Sequence, residues 1–240
     1  MLALLDCRTP DEVEHTLLSH GHSVLRLPPH PCLDAPVASH PDMLLFFADG
    51  AIYCTKSYAR LVPDLLQKIS NSCRHPIQLI EQEYAPTYPG DILLNAVSVS
   101  TLLFCHPTGC ANELRAHPAY TVCPVRQGYA KCAVIPVGEH ALITADSSIA
   151  SVASQRGLEV LTVSDQTIRL PGYGHGFVGG CASFAPYGGT DLIYFCGSAE
   201  SYPEWSRMES FCRKHGKELY PLTDDIPLDI GTVFLLNESN

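Results

Sequence analysis

Five times along the chain an apolar run ends in a small residue and then meets Ser, Thr, Pro or Gly, the residue types that begin helices. The stretches are LALLDCRTPDEV, GAIYCTKSYARL, STLLFCHPTGCA, HALITADSSIAS and DLIYFCGSAESY. The small residues are Cys7, Cys54, Cys105, Ala145 and Cys196, at intervals of 47, 51, 40 and 51 residues. The step from Cys196 through the C-terminus to Cys7 is 51 again. Each stretch predicts a strand that feeds a helix.

The segments that follow carry helical signals. PDEVEHTLLSHG opens with Pro and acids and stops at Gly21, while SSIASVASQRG and SYPEWSRMESFCRKHG end in basic residues and Gly. KSYARLVPDLLQKISNSC contains Pro63, which starts a helix or kinks one. TGCANELRAHP predicts a short helix. After each comes a brief alternating run: HSVLRLPP, PIQLIEQE, YTVCPVRQ, LEVLTVSD and KELYPLTD. Before each helix-feeding strand stands another apolar run: DMLLFFADG, DILLNAVSVS, KCAVIPVGEH and GFVGGCASFAP, with DIGTVFLLNESN at the C-terminus as the fifth.

The repeating unit is therefore strand–strand–helix–strand, about 48 residues long, and the two chain ends combine to complete one copy. A single unit cannot cover its own apolar face, so neighbours must stack, and a ring removes the exposed end units. The expected fold is α/β: a five-bladed, pseudo-symmetric α/β-propeller of ββαβ units, closed by pairing of the N- and C-terminal strands. The expected domain is the whole chain, 1–240, with units 230–240 plus 1–29, 40–83, 89–125, 127–165 and 172–223. The alternative is an ordinary doubly wound α/β domain, in which one strand rather than two separates successive helices.

Composition narrows the function. A hydrophobic share of 46% with 17% charged residues supports a large core, and the net charge of −10 disfavours nucleic acid or an anionic membrane as a partner. No run approaches the length of a spanning helix, and the N-terminus lacks the basic start of a signal peptide, so a cytoplasmic protein is expected. The eleven cysteines contain no C-x-x-C pair, which fits reduced, buried thiols better than zinc ligands; no cofactor and no metal are expected. No G-x-G-x-x-G, G-K-[ST] or G-x-S-x-G motif occupies the position that dinucleotide, phosphate-loop or serine-hydrolase chemistry requires.

Five ββαβ units around a pseudo-fivefold axis resemble the pentein, or α/β-propeller, superfamily. RQGYAKCAVIPVGEHALITADSSIA, LPGYGHGFVGGCASF and LDIGTVFLL look most similar to small bacterial members of this group. The superfamily contains guanidino-modifying enzymes and also translation initiation factor six, a ribosome-binding protein without catalysis. The resemblance implies that the leading strands line an axis, so the segments entering them gather at one mouth of a channel. Those segments offer His40 and Asp42, Tyr88, Asp91 and Asn95, Arg126, Gln127 and Lys131, Tyr173 and His175, and Asp229. The alternative is that these are turn residues selected for backbone geometry.

Carboxylates drawn together call for a cation, either Lys131 or a ligand's amine or guanidinium. The expected substrate-binding residues are His40, Asp42, Asn95, Gln127, Lys131 and Tyr173. The enzymes attack a guanidinium carbon with a Cys thiolate, assisted by His and carboxylates. By that resemblance the candidate catalytic residues are His175, Asp91, Asp229 and Cys181. The last unit lacks the usual Cys, and Cys181, after a Gly pair, is the substitute; a buried structural thiol is its other reading. Three functions follow: binding of a small, polar, cationic metabolite; a hydrolase or deiminase acting on a guanidino or related C–N group; or a non-catalytic macromolecule-binding factor. A small-molecule ligand and a possible homodimer are the expected partners.

Overall fold

The structure, a computed structural model, describes residues 1–187 and 189–238. Residues 239 and 240, the end of the first expected unit, lie outside the described residues. Strand β1 (Leu2–Asp6) feeds helix α1 (Asp11–Ser19), and the chain returns as β2 (Ser23–Leu27). A one-turn helix α2 (Pro41–Leu44) precedes β3 (Phe46–Ala48) and β4 (Ala51–Thr55), then α3 (Lys56–Leu61), α4 (Pro63–Cys73) and β5 (Ile77–Ile80). The third group is β6 (Val97–Val99), β7 (Leu102–Cys105), α5 (Asn112–Arg115) and β8 (Thr121–Pro124). The fourth is β9 (Val134–Pro136), β10 (Ala141–Thr144), α6 (Ser147–Gln155) and β11 (Glu159–Thr162). The fifth is β12 (Ala182–Tyr187), β13 (Thr190–Phe195), α7 (Trp205–Lys214) and β14 (Lys217–Pro221), and β15 (Phe234–Leu236) ends the chain.

These strands form five three-stranded sheets, and none of them closes on itself. In each, the central strand pairs antiparallel with its leading strand and parallel with the strand after the helix. The parallel pair needs a crossover, which the helix supplies. The antiparallel pair needs only a tight turn. Between β3 and β4 that turn is Asp49–Gly50, both residues with positive φ, the backbone that two-residue hairpins favour. One sheet draws on both chain ends: β15 lies antiparallel to β1, with Leu4 opposite Phe234, while Leu4 faces Leu25 of β2 on its other side.

Strands β1 and β10 are buried along their whole length because each is flanked on both edges and covered by a helix. The Gly stops act as the pattern requires: Gly21, Gly157 and Gly216 all have positive φ just past α1, α6 and α7. Pro63 divides one apolar periodic segment into two helices, α3 ending at Leu61 and α4 starting on the Pro. Thr55 caps α3 by accepting from the Tyr58 amide. Trp205 packs edge-on against Phe195, an anchor between α7 and its sheet. The segment DMLLFFADG differs from expectation. Its first half is α2 rather than strand, with Pro41 opening the turn, and this turn buries Asp42 completely. No helix among the described residues is long and apolar enough to cross a membrane.

Candidate functional site

One register position builds the centre of the molecule. Two residues before each leading strand stand Leu44, Asn95, Cys132, Gly180 and Thr232. Four of these meet, and Asp42 of α2 stands in for the apolar Leu44. The Cys132 thiol donates to Asp42 Oδ2 at 3.0 Å, and the Thr232 hydroxyl reaches the same oxygen at 3.1 Å. Asn95 Nδ2 donates to Cys132 Sγ at 3.1 Å, while its Oδ1 accepts from the Lys131 amide at 2.8 Å. Gly180 joins through its backbone: its N–H donates to the Cys132 carbonyl, and its own carbonyl accepts from Ile230 and Thr232.

His40, which precedes α2, and Asp229, in the approach to β15, complete the cluster. His40 Nδ1 lies 3.9 Å from Asp229 Oδ1, and Nε2 lies 3.7 Å from Asp6 Oδ2. Asp229 is held by backbone amides, Oδ2 accepting from Phe177 at 2.8 Å and Oδ1 from Gly231 at 3.0 Å. Asp6 forms a fork with the Arg8 guanidinium. Two glycines make room for these side chains. A Cβ on Gly231, whose φ is +68°, would lie 2.2 Å from His40 Cβ, and one on Gly180 would lie 1.9 Å from Asp229 Oδ1. The Gly pair before Cys181 thus exists for close approach to Asp229 and to the backbone around Cys132.

A cavity of about 350 Å3 opens onto this cluster. His40, Cys132 and Asp229 lie on one part of its wall, and Tyr129, Phe177, Tyr173 and His175 supply its rings. Tyr129 and Phe177 stack with centroids 6.0 Å apart. Lys131 faces elsewhere. It lines a separate apolar cavity of about 180 Å3 with Thr232 and residues of β9 and β15, and its Nζ donates to Thr232 Oγ1 at 3.1 Å. Thr232 and Asp42 therefore stand between the lysine side and the thiol side.

Burial sets the direction of titration for Asp42, Asp229, His40, Lys131 and Cys132. It raises the Asp42 carboxyl, partly offset by the Cys132 hydrogen bond and by Lys131, and it raises Asp229, partly offset by His40. It lowers His40 and Lys131, against the pull of Asp229 and Asp42 respectively. The Cys132 thiol is pushed well above its usual range by burial and then by the Asp42 and Asp229 charges. Within this cluster, His40 Nδ1 and Asp42 Oδ1 are buried with no hydrogen-bond partner among the described residues. The His40, Asp42 and Cys132 ligand atoms all lie within 4.8 Å of one another, so these three residues could hold a metal ion. An ion there would replace the thiol–carboxylate hydrogen bond and sit close to the buried Lys131.

Of the residues singled out from sequence, His40, Asp42, Asn95 and Asp229 converge. Tyr173 and His175 line the outer cavity, the Tyr173 hydroxyl donating to Asp34 at 2.7 Å and His175 Nδ1 facing the Gly176 carbonyl at 2.9 Å. Asp91 reaches the cavity through Tyr129, whose hydroxyl donates to it at 2.7 Å. Gln127 is drawn away: its amide bonds to Asp146 and to the Tyr129 backbone. Cys181 is fully buried in an apolar cluster that includes residues of β13 and α7, and its thiol is directed at the Phe177 carbonyl. Sequence reasoning passed over Cys132, Thr232 and Tyr129. The shared offset from the leading strands was the available signal for the first two, but it needs strand starts accurate to one residue.

The profile of a family of unknown function (DUF6873) matches residues 4–234. No curated protein matches significantly. Among solved structures the chain is similar to DDAH from Pseudomonas aeruginosa, a Cys-to-Ser mutant complexed with citrulline, at 9% identity over 93% of this chain and 91% of that one, TM-score 0.56. It is similar to a dimethylarginine dimethylaminohydrolase adduct with 4-chloro-2-hydroxymethylpyridine at 10% identity, covering 93% and 92%, TM-score 0.52. It is also similar to the C. jejuni agmatine deiminase at 6% identity, covering 92% and 75%, TM-score 0.50. At such identities the likeness is one of fold. These neighbours are penteins, and the likeness to them, over nine-tenths of the chain, is one of overall fold. The protein belongs to the DUF6873 family, and its fold is of the pentein kind.

Proposed function

We propose that this protein binds a small cationic, guanidino- or amine-bearing metabolite in the cavity beside His40, Cys132 and Asp229, and hydrolyses a C–N bond of it with Cys132 as nucleophile. The observation that carries this reading is the Cys132 thiol. It sits on a cavity wall, hydrogen-bonded to a buried carboxylate, with a His40 nitrogen within 4.8 Å. A nucleophile, an acid/base group and carboxylates for a cation are the parts such chemistry needs. The net charge and the carboxylates Asp42 and Asp229 favour a cation over an anion.

In this reading the empty site keeps the thiol protonated. A bound guanidinium offsets the two carboxylates and eases thiolate formation. Sulfur adds to the guanidinium carbon, the thiol proton passes by way of His40 to the leaving nitrogen, and the C–N bond breaks to release an amine. Water then adds to the sulfur-bound carbon and expels the sulfur, which regains a proton. The sum is guanidinium plus water giving a urea and an ammonium ion. The whole chain acts as one domain, a five-bladed ring. The side-by-side packing of β6 with β9, of β12 with β15, and of Phe47 with Phe234 supports that arrangement.

The test is release of ammonia or amine from a panel of alkylguanidines, followed by a ureido-group assay. Activity that vanishes in Cys132→Ser and persists in Cys181→Ser supports the reading. Turnover retained in Cys132→Ser, or a panel that neither binds nor reacts, overturns it.

A further inference from the structure

Lys131 and Cys132 are neighbours in sequence, yet they line different cavities. The Lys131 amide is tied to Asn95 Oδ1, and its side chain lines the cavity of about 180 Å3 where β9, β12 and β15 approach one another. Among the described residues the ammonium has a single hydrogen-bond partner, Thr232 Oγ1 at 3.1 Å. The Thr232 hydroxyl sends its own proton on to Asp42 Oδ2 or to the Gly179 carbonyl, so toward Lys131 it can only accept. An ammonium carries three donors, and the other two have no partner among the described residues. Asp42 acts on Lys131 only from beyond Thr232. No carboxylate among the described residues lines this cavity, whereas the cavity beside Cys132 has Asp229 on its wall and neither Lys nor Arg. Ile135 of β9, Ala182 of β12 and Leu235 of β15 make the walls around Lys131 apolar, and Ser183 adds a hydroxyl. A cation that has lost its water to such walls is costly unless an anion meets it.

We propose that this second cavity binds a small aliphatic monocarboxylate, its carboxylate on Lys131 Nζ and its short tail against Ile135, Ala182 and Leu235. The site is separate from the one beside Cys132 and does not depend on the chemistry assigned there. The volume of about 180 Å3 equals roughly six water volumes at ~30 Å3 each, which admits a carboxylate with a tail of a few carbons. An inorganic anion such as phosphate would answer the charge but leave the apolar walls uncovered. It would also need more donors than Lys131 and Ser183 offer. The chain as a whole, at a net charge of −10, repels carboxylates, so binding of one calls for a local cation of this kind.

The experiment titrates the full chain with five probes, followed by ligand-observed NMR: butyrate, acetate, 1-butanol, butylamine and inorganic phosphate. Butyrate is expected to bind tightest, about 10-fold tighter than acetate because it buries two more methylenes, and about 10-fold tighter than 1-butanol because it carries the charge. Butylamine and phosphate are expected to bind more weakly than butyrate. Lys131→Met keeps the stem and removes the charge; it should weaken butyrate about 10-fold, to the level of 1-butanol. Lys131→Arg keeps the charge and should keep the preference for butyrate over 1-butanol. Asp229→Asn, at the other cavity, should leave butyrate affinity within about 2-fold. If Lys131→Met does not fold, the wild-type order and Lys131→Arg decide the matter. Butyrate binding no tighter than 1-butanol or butylamine, or not at all, overturns the proposal. So does butyrate affinity that ignores Lys131→Met, or that falls as far in Asp229→Asn. Phosphate binding more tightly than butyrate would make this an inorganic-anion site and would overturn the carboxylate.

Discussion

Cys132 and Cys181 occupy comparable places: each is a buried thiol just ahead of a leading strand, and each feels the charge of Asp229. Their surroundings differ. Cys132 has Asp42 as acceptor, Asn95 as donor and a cavity before it; Cys181 has a carbonyl at 3.5 Å and apolar side chains. Burial raises both thiols well above their usual range, so acidity alone does not separate them. Partners do. A thiol inside a hydrogen-bonded group beside open volume has somewhere to send its proton and something to attack, while one sealed in a core serves packing.

The comparison can be broken most sharply by exchanging sulfur for oxygen at each place. Cys132→Ser should lower turnover of a guanidino substrate by about 10^3-fold or more, ~4 kcal/mol in the barrier, and Cys181→Ser by no more than a few-fold. Equal losses of rate in the two variants would dissolve the distinction. The next effect concerns the backbone behind the Cys132 group. Gly231→Ala combines a positive φ with a Cβ 2.2 Å from His40, and should cost about 3 kcal/mol of stability by denaturant unfolding. A change under about 0.5 kcal/mol would mean that His40 is not held there.

Stability should invert the order that activity gives. Cys181→Ser introduces a hydroxyl among apolar groups and should cost about 1–2 kcal/mol. Cys132→Ser, whose hydroxyl keeps Asp42 and Asn95 as partners, should cost less than about 1 kcal/mol, as urea midpoints would show. The smallest effect is a pH dependence confined to the Cys132 side. The folded-state values of Asp42 and Asp229 lie above the unfolded ones, so their contribution is full below about pH 4 and is lost as pH rises through the folded values. Asp6 runs the other way. Burial alone would raise it, but the hydrogen bonds from Arg8 and the nearness of His40 hold it below 3.8, so its contribution is present above that value and lost as pH falls through the folded one. Melting curves of Asp42→Asn against the wild type should therefore favour the variant increasingly from pH 4 upward. A difference constant with pH would count against a buried, titrating Asp42.

Local chemistry reaches only part of this. Alternating apolar runs, Gly stops and helix-starting residues are short-range signals, and they located the central strands, the helix ends and the pairing of β15 with β1. Asp42, Asn95, His40 and Asp229 were legible because polar residues at the head of apolar strands stand out. Gln127 looked equivalent, yet its amide bonds to the cap residue of α6, a choice between neighbours that no local pattern expresses.

The sequence by itself determined that strand, strand, helix and strand recur and that the chain's two ends share a sheet, because periodicity and capping act over a few residues. Only the tertiary structure decided which thiol is set among carboxylates. Asp42 and Cys132 are 90 positions apart, Asp42 and Thr232 190, and the contacts among them depend on strand starts fixed to a single residue and on glycines that let neighbouring backbones approach. A side-chain direction reverses with each residue along a strand, so a one-residue error in register would have hidden Cys132 and exposed its neighbour.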